Sequence, residues 1–320
     1  MTQTPAGDSI TPLARAEATR DLAVTDVRQA DDLHPQPVDD GNLVNRSGPG
    51  KKIAVYTALL VFALIYIYPF VVQVSTSFKT DADAVANPLA IIPNPVTTAA
   101  FERIAQTDFP LWFMNSVIVT VLVTAGRVFF DSLAGYALAR LNFRGRNAVF
   151  TTILAVLAVP GIVLLIPKFL VLNYLGIYNT YPALFVPLIV DAAGVFIMKQ
   201  FFESIPISVE EAARIDGAST FRTFWSVVLP MAKPALITLT ILSFQGSWNE
   251  LAHFIIAADD PKLYTLTRGV GGLTSGGLGA GNQYPVSMAA ALLMTIPTAL
   301  VFVAFQRYFT QGANAGAEKG

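Results

Sequence analysis

Arg127, Asp131, Asp191 and Glu250 each stand inside a run of apolar residues long enough to cross a bilayer. An ionisable group at membrane depth is expensive, so it faces a cavity, a partner or an opposite charge. Two kinds of chemistry are open to such a group. A carboxylate can take up a proton or hold a cation and so couple an ion to transport. It can also hydrogen-bond a polar solute, and Trp248-Asn249-Glu250 adds an amide and an aromatic face of the kind on which sugars stack. Arg127 and Asp131 are four residues apart, share a helix face and are expected to pair with each other. Asp191 and Glu250 have no Lys or Arg one turn away, so each is open to a facing helix or to a solute.

Other chemistries find no support. There is no Gly-x-Ser-x-Gly elbow and no His-Glu-x-x-His pair. No Gly-x-x-x-x-Gly-Lys-Ser/Thr loop is present to cradle ATP phosphates. The chain has no cysteine, hence no disulfide framework and no thiolate metal site. His34 and His253 lie far apart and form no ligand cluster.

Six spans are expected to position these groups. A membrane helix needs about 20 apolar residues. The runs are Ile53 to Phe78, Trp112 to Leu138, Asn147 to Pro167, Tyr181 to Met198, Pro234 to Ala258 and Pro285 to Gln306. The composition agrees, with 53% hydrophobic and only 13% charged residues, against roughly 25% charged in soluble domains. A net charge of −1 gives no reason to expect a nucleic-acid partner. The fold class expected is all-α, a polytopic membrane protein.

Between the fourth and fifth runs lies a polar, helix-forming stretch, residues 208–234. Ser208 with Glu211 three residues on reads as a capping box, so a helix is expected to start there. Glu210 and Glu211 fall in its first turn, where the helix dipole favours negative charge. Ala212 and Ala213 are small enough for another surface to approach, and Asp216 precedes Gly217, which can take positive φ and end the helix. Ser219 or Thr220 can cap a second short helix, which Pro230 is expected to close. Such a segment is either an amphipathic hairpin between spans or a handle offered to a soluble partner.

Lys and Arg placement sets the orientation. With the N-terminus inside, fifteen basic residues fall on the inner side, among them Arg140, Arg144, Arg146, Arg214 and Arg222. Five fall outside: Lys79, Arg103, Lys168, Lys262 and Arg268. Both termini and the handle are therefore expected in the cytoplasm. Residues 1–50 are rich in Thr, Pro, Asp and Gln and read as a disordered cytoplasmic tail, without the apolar core of a signal peptide.

The spacing in the handle is more specific than its helix signals. Glu211-Ala212-Ala213, then Gly217, then Val227 and Leu229-Pro230 closely resembles the EAA loop of ABC importer permeases, with Val227 where Ile is usual. Further likeness covers residues 51–320. It includes Ser77-Phe78-Lys79-Thr80, Asn115-Ser116, Ala134 to Arg140, Phe143-Arg144-Gly145, Ile205-Pro206 and Trp248-Asn249-Glu250. The C-terminal Gln306-Arg307-Tyr308-Phe309 is similar to the maltose-type subunit of the carbohydrate branch. The glycine-rich outer segment, Gly269 to Gly281, fits that pattern poorly.

What the resemblance implies is a permease subunit in a bacterial or archaeal cytoplasmic (inner) membrane, importing a sugar or oligosaccharide. Its implied partners are a second permease subunit, two copies of an ABC ATPase that bind ATP and Mg, and an extracellular or periplasmic sugar-binding protein. Glu210, Glu211, Ala212, Ala213, Asp216, Gly217, Leu229 and Pro230 would then couple to the ATPase. Trp248, Asn249, Glu250 and Asp191 are expected along the substrate pathway. The chain itself would be no enzyme and hold no cofactor. The competing reading is a secondary transporter coupled to an ion through Asp191 or Glu250.

Overall fold

The computed structural model describes residues 49–274 and 283–317. Residues 1–48 of the expected tail, residues 275–282, which include half of the glycine-rich segment, and the side chains beyond Gln306 lie outside the described residues. Contacts divide the chain into two compact units, 1–66 and 67–320.

All regular elements among the described residues are helical, with short 3-10 turns and one π turn between the α-helices. The helices are α1 Pro49–Ser77, α2 Asp81–Ala86, α3 Ala99–Ala105, α4 Phe109–Arg140, α5 Arg146–Leu157, α6 Leu165–Tyr174, α7 Tyr181–Phe185, α8 Ala192–Ser204, α9 Ile207–Ile215, α10 Thr220–Thr223, α11 Leu229–Met231, α12 Lys233–Trp248, α13 Ala252–Ala257, α14 Leu266–Thr274 and α15 Tyr284–Ala317. Four stretches are long and apolar enough to cross a membrane: Gly50–Ser77, Phe109–Arg140, Tyr181–Ser204 and Tyr284–Gln306. Counting two bent helix pairs as single spans raises the number to six.

Three of the expected spans are interrupted, each by identifiable residues. The third bends by 101° between Arg146–Leu157 and Gly161–Tyr174, because Pro160 removes a helical N–H and its ring crowds the preceding turn. The fourth unwinds at Ile189 to Asp191, after a 3-10 turn at Val186–Leu188 that contains Pro187. The fifth is not continuous from Pro234 to Ala258. It ends at Trp248 and restarts as α13, because the Glu250 carboxylate accepts the His253 backbone N–H at 2.9 Å and caps a new helix.

The core of unit 67–320 is built on α4. Gly135 lets α8 approach so closely that a Cβ there would lie 2.7 Å from Met198 Cβ and 2.9 Å from the Lys199 nitrogen. Towards the Arg140 end of α4, Tyr136 and Ala139 pack with Met198, Phe202 and Ile205 of the fourth span and Phe224, Val228 and Ala232 of the handle. At the other end, Trp112 packs with Trp248, Leu266 and Val286. The handle therefore shares one apolar core with the second, fourth and fifth spans.

Candidate functional site

The handle begins at Pro206. Its φ of −58° suits the entry to α9, and no side chain caps that helix. The expected capping box does not form: the N-cap is Pro206, two residues before Ser208, which puts Ser208 inside the first turn, and both Ser208 and Glu211 are exposed. The buried carboxylate is Glu210, 1% exposed. Its Oε1 lies 2.8 Å from Nε of Arg140, off the N–H axis, so the contact is an ion pair rather than a directed hydrogen bond. Its Oε2 accepts the Tyr136 hydroxyl at 3.1 Å. Arg140 also donates to the carbonyl of Phe202 at 2.7 Å and to that of Ile205. One guanidinium thus holds the last carbonyls of α8 and the first turn of α9 together.

The C-terminus of α9 is a Schellman motif. Gly217, at φ +81°, donates to the Arg214 carbonyl at 3.0 Å, and Ala218 donates to the Ala213 carbonyl at 2.9 Å. Ser219 then caps α10, its hydroxyl accepting from the Arg222 N–H. Phe224 to Val228 widen into a π turn, with the Leu229 N–H on the Phe224 carbonyl. Pro230 does not close the helix as expected. The widened turn accommodates its missing donor, and the chain bends by 80° only between Met231 and Lys233.

This scaffold fixes what the handle shows to solvent. Phe224 and Val228 are buried beneath it, while Ile215 is 86%, Phe221 65% and Trp225 51% exposed. Phe221 and Trp225 stack with ring centroids 6.4 Å apart. Glu211, Ala212, Asp216 and Gly217 are exposed on the same stretch, and Ala213 is half-buried. Exposed apolar groups clustered this way mark an interaction surface.

The intramembrane residues fall into two sets. Arg127 and Asp131 do not pair with each other; both reach across to the break in the fourth span. Arg127 Nε donates to the Leu188 carbonyl at 2.7 Å, and Asp131 Oδ1 accepts the Asp191 backbone N–H at 3.0 Å. The Asp191 side chain accepts the Gly194 N–H at 3.1 Å and caps α8. Trp248 is buried, donates from Nε1 to the Met294 carbonyl at 3.1 Å and stacks on Phe244. Asn249 is exposed, and with Met294, Thr295 and Thr298 it lines a small cavity. Of the expected pathway residues, Asn249 alone is exposed in this conformation. Asp191 and Glu250 are half-buried helix caps. Among the described residues no group of three or more His, Asp or Glu could hold a metal ion.

Residues 131–314 match the family described as the binding-protein-dependent transport system inner membrane component. The chain belongs to this family. The permease is 31% identical over 262 residues to the arabinooligosaccharides transport system permease protein AraQ of Halalkalibacterium halodurans, covering 81% of this chain and 93% of that protein. It is 34% identical over 280 residues to the polygalacturonan/rhamnogalacturonan transport system permease protein YtcP of Bacillus subtilis, covering 83% and 97%. It is 30% identical over 270 residues to the sn-glycerol-3-phosphate transport system permease protein UgpE of Yersinia pestis, covering 82% and 96%. Among solved structures, it superposes on a chain of a bacterial ABC transporter that imports the acidic polysaccharide alginate, with a TM-score of 0.70 at 26% identity over 82% of this chain and 99% of that one. A second alginate transporter structure, with a TM-score of 0.55 at 15% identity, supports the fold. The protein is thus a multi-pass permease subunit of an ABC importer, not an ATPase.

Arg140, Tyr136 and the exposed Phe221 and Trp225 are the permease residues that reading the handle alone overlooks. A signal for the first two existed: a Tyr and an Arg four apart at the end of a span share one face. No local signal distinguishes Glu210 from Glu211.

Proposed function

We propose that this permease carries a sugar or oligosaccharide and that residues 207–231 are its contact with the ATPase. One observation carries the second part: the handle is tied to the membrane helices on one side, through Arg140, Glu210 and Phe224, and bare and apolar on the other. A groove on a soluble subunit that covers Ile215, Phe221 and Trp225 would move α9, and with it the ends of α4 and α8. Glu211 and Asp216 stand exposed beside those groups and suit a basic partner surface. Leu229 and Pro230 place the bend that passes this motion to α12.

The sugar follows from the relatives. Two of the proteins described above are named for oligo- or polysaccharides and one for a polar glycerol ester. The complex would contain a second permease subunit, two ATPase copies binding ATP and Mg, and an external sugar-binding protein. The handle and both termini would face the cytoplasm. A cysteine replacing Ser219 should then label only in permeabilised cells, and one replacing the exposed Ile92 should label from outside.

Uptake into vesicles holding the assembled complex tests the whole reading. Sugar import that requires ATP and survives an uncoupler supports it. ATP-independent uptake abolished by the uncoupler would instead support ion coupling through Asp191 or Glu250. Both carboxylates already serve as helix caps, which weighs against that role.

A further inference from the structure

The turn between α4 and α5 carries positive charge that the protein does not balance. From Ser132 to Val190 the chain has no Asp or Glu, yet it holds Arg140, Arg144, Arg146 and Lys168. The three arginines crowd together where the second span ends and the third begins. Arg140 is occupied by Glu210 and by the carbonyls that end α8. Arg146 donates to the Ala139 carbonyl at 3.2 Å and lies 3.8 Å from Glu203. Lys199 already holds Glu203 at 2.7 Å, with its ammonium 4.1 Å from the centre of the Phe150 ring. One carboxylate therefore serves two cations. Arg144 is exposed and makes no ion pair or hydrogen bond among the described residues. Arg144, Arg146 and Lys199 against Glu203 alone leave this corner two positive charges in excess.

The same turn is concave. Residues 142–148 line a depression of ≈ 550 Å³, with Arg144 and Arg146 in its wall beside the amides of Asn142 and Asn147. Gly145, at φ +89°, lies between the two arginines, and nothing stands within 4 Å of where its Cβ would be. Guanidinium groups pair with phosphate oxygens two at a time, and the amides add neutral donors. The depression is therefore suited to a phosphate.

α5 decides which phosphate. No residue of this helix is buried, and Val149, Leu154, Val156 and Leu157 stand exposed along it. As one arm of the bent third span it lies at membrane depth. A basic turn thus continues directly into an apolar, uncovered helix. A molecule with a phosphate at one end and alkyl chains at the other matches both parts, whereas a soluble phosphate would use the turn and leave the helix bare. The turn lies on the handle's side of the membrane, because Arg140 joins the end of α4 to Glu210.

We propose that residues 142–148 hold the phosphate of an anionic phospholipid in the leaflet on the handle's side, with its acyl chains along α5. The excess positive charge selects a headgroup that brings no ammonium of its own. The inference depends neither on sugar being the substrate nor on which side of the membrane is the cytoplasm.

Arg144→Gln is the test, because Arg144 supports no other contact and its loss should leave the unfolding temperature unchanged. The full chain, purified in detergent in its complex, is offered phosphatidylglycerol or phosphatidylcholine with the same acyl chains. Native mass spectrometry counts the lipid retained. The unsubstituted complex should prefer phosphatidylglycerol. Arg144→Gln should weaken that retention about fivefold, the worth of one basic residue at an anionic surface, with phosphatidylcholine unchanged. Equal retention of phosphatidylglycerol with and without the substitution would overturn the site. Equal loss of both lipids would show a contact blind to headgroup charge and overturn the anionic class. Displacement of phosphatidylglycerol by inorganic phosphate at the same concentration would show that the turn takes free phosphate, and would overturn the lipid. Failure of the sugar-import reading would show separately, as uptake that ignores ATP, and would leave these retention ratios as they are.

Discussion

Arg140 ends the second span and Glu210 sits in the first turn of the handle, and the two meet at 2.8 Å with side chains only 10% and 2% exposed. Distant in sequence, they form a buried ion pair whose guanidinium also holds the Phe202 and Ile205 carbonyls. This is the joint between the membrane helices and the surface proposed above to meet the ATPase.

Replacing Glu210 with Ala should therefore damage the fold itself. Removing one member of a buried pair leaves the other uncompensated, at about 3–5 kcal/mol. Glu211→Ala, at an exposed position, should change stability by no more than about 0.5 kcal/mol and instead weaken ATPase co-purification. Thermal unfolding of the detergent-solubilised complex separates the two. Equal destabilisation by both substitutions would contradict the assignment of Glu210 as the anchor.

Gly217→Ala should loosen the handle without creating a clash. Nothing lies within 4 Å of the added Cβ, so the penalty is that of a left-handed residue at φ +81°, about 1–2 kcal/mol. Gly217→Pro should be worse, because it also removes the N–H bonded to Arg214. Retention of the ATPase on the purified permease should fall in the order Gly, Ala, Pro. Wild-type yield and uptake for the Pro variant would contradict it.

Gly135→Ala tests the packing of the second span on the fourth. The new methyl would meet Met198 and the backbone of Lys199, neither of which can swing aside. Overpacking of this kind costs about 1–3 kcal/mol. Gly161→Ala, with open space around it, is the control. Indistinguishable unfolding temperatures for the two variants would show that the helices separate more easily than their contact implies.

Acid should loosen the loop between the first and second spans late. Asp83 accepts the Asn94 backbone N–H and the Asn87 side-chain amide, both at 3.0 Å, and Lys79 lies nearby. The Asn94 bond foremost, then Asn87, holds the Asp83 carboxyl below its ordinary 3.8. A depressed folded value means that the stabilisation is complete above the ordinary pKa and is lost as pH falls through the lower, folded one. Hydrogen exchange at the Asn94 amide, corrected for its intrinsic pH dependence, should stay slow from pH 7 to about 4 and quicken below. In Asp83→Asn it should already be fast at pH 7. Loss of protection in the wild type between pH 7 and 5 would point to a different titrating group.

Much of this protein is local and so was open to reading from the chain. The apolar runs determined a helical membrane protein, because a bilayer demands about 20 such residues per crossing. The Gly217 turn and the Ser219 cap were equally legible, since each depends on its own backbone and the residues beside it. The EAA spacing pointed to the permease family for the same reason. Only the tertiary structure decided which of two adjacent glutamates is buried, because Arg140 and Tyr136 come from another helix. It also separated Arg127 from Asp131. One turn apart, the two could pair, but the backbone at the break, the Leu188 carbonyl and the Asp191 N–H, offers each a partner instead. In the same way Asp191 and Glu250, written as charges inside apolar runs, became caps once the spans broke beside them. A break frees backbone donors, and the nearest carboxylate satisfies them.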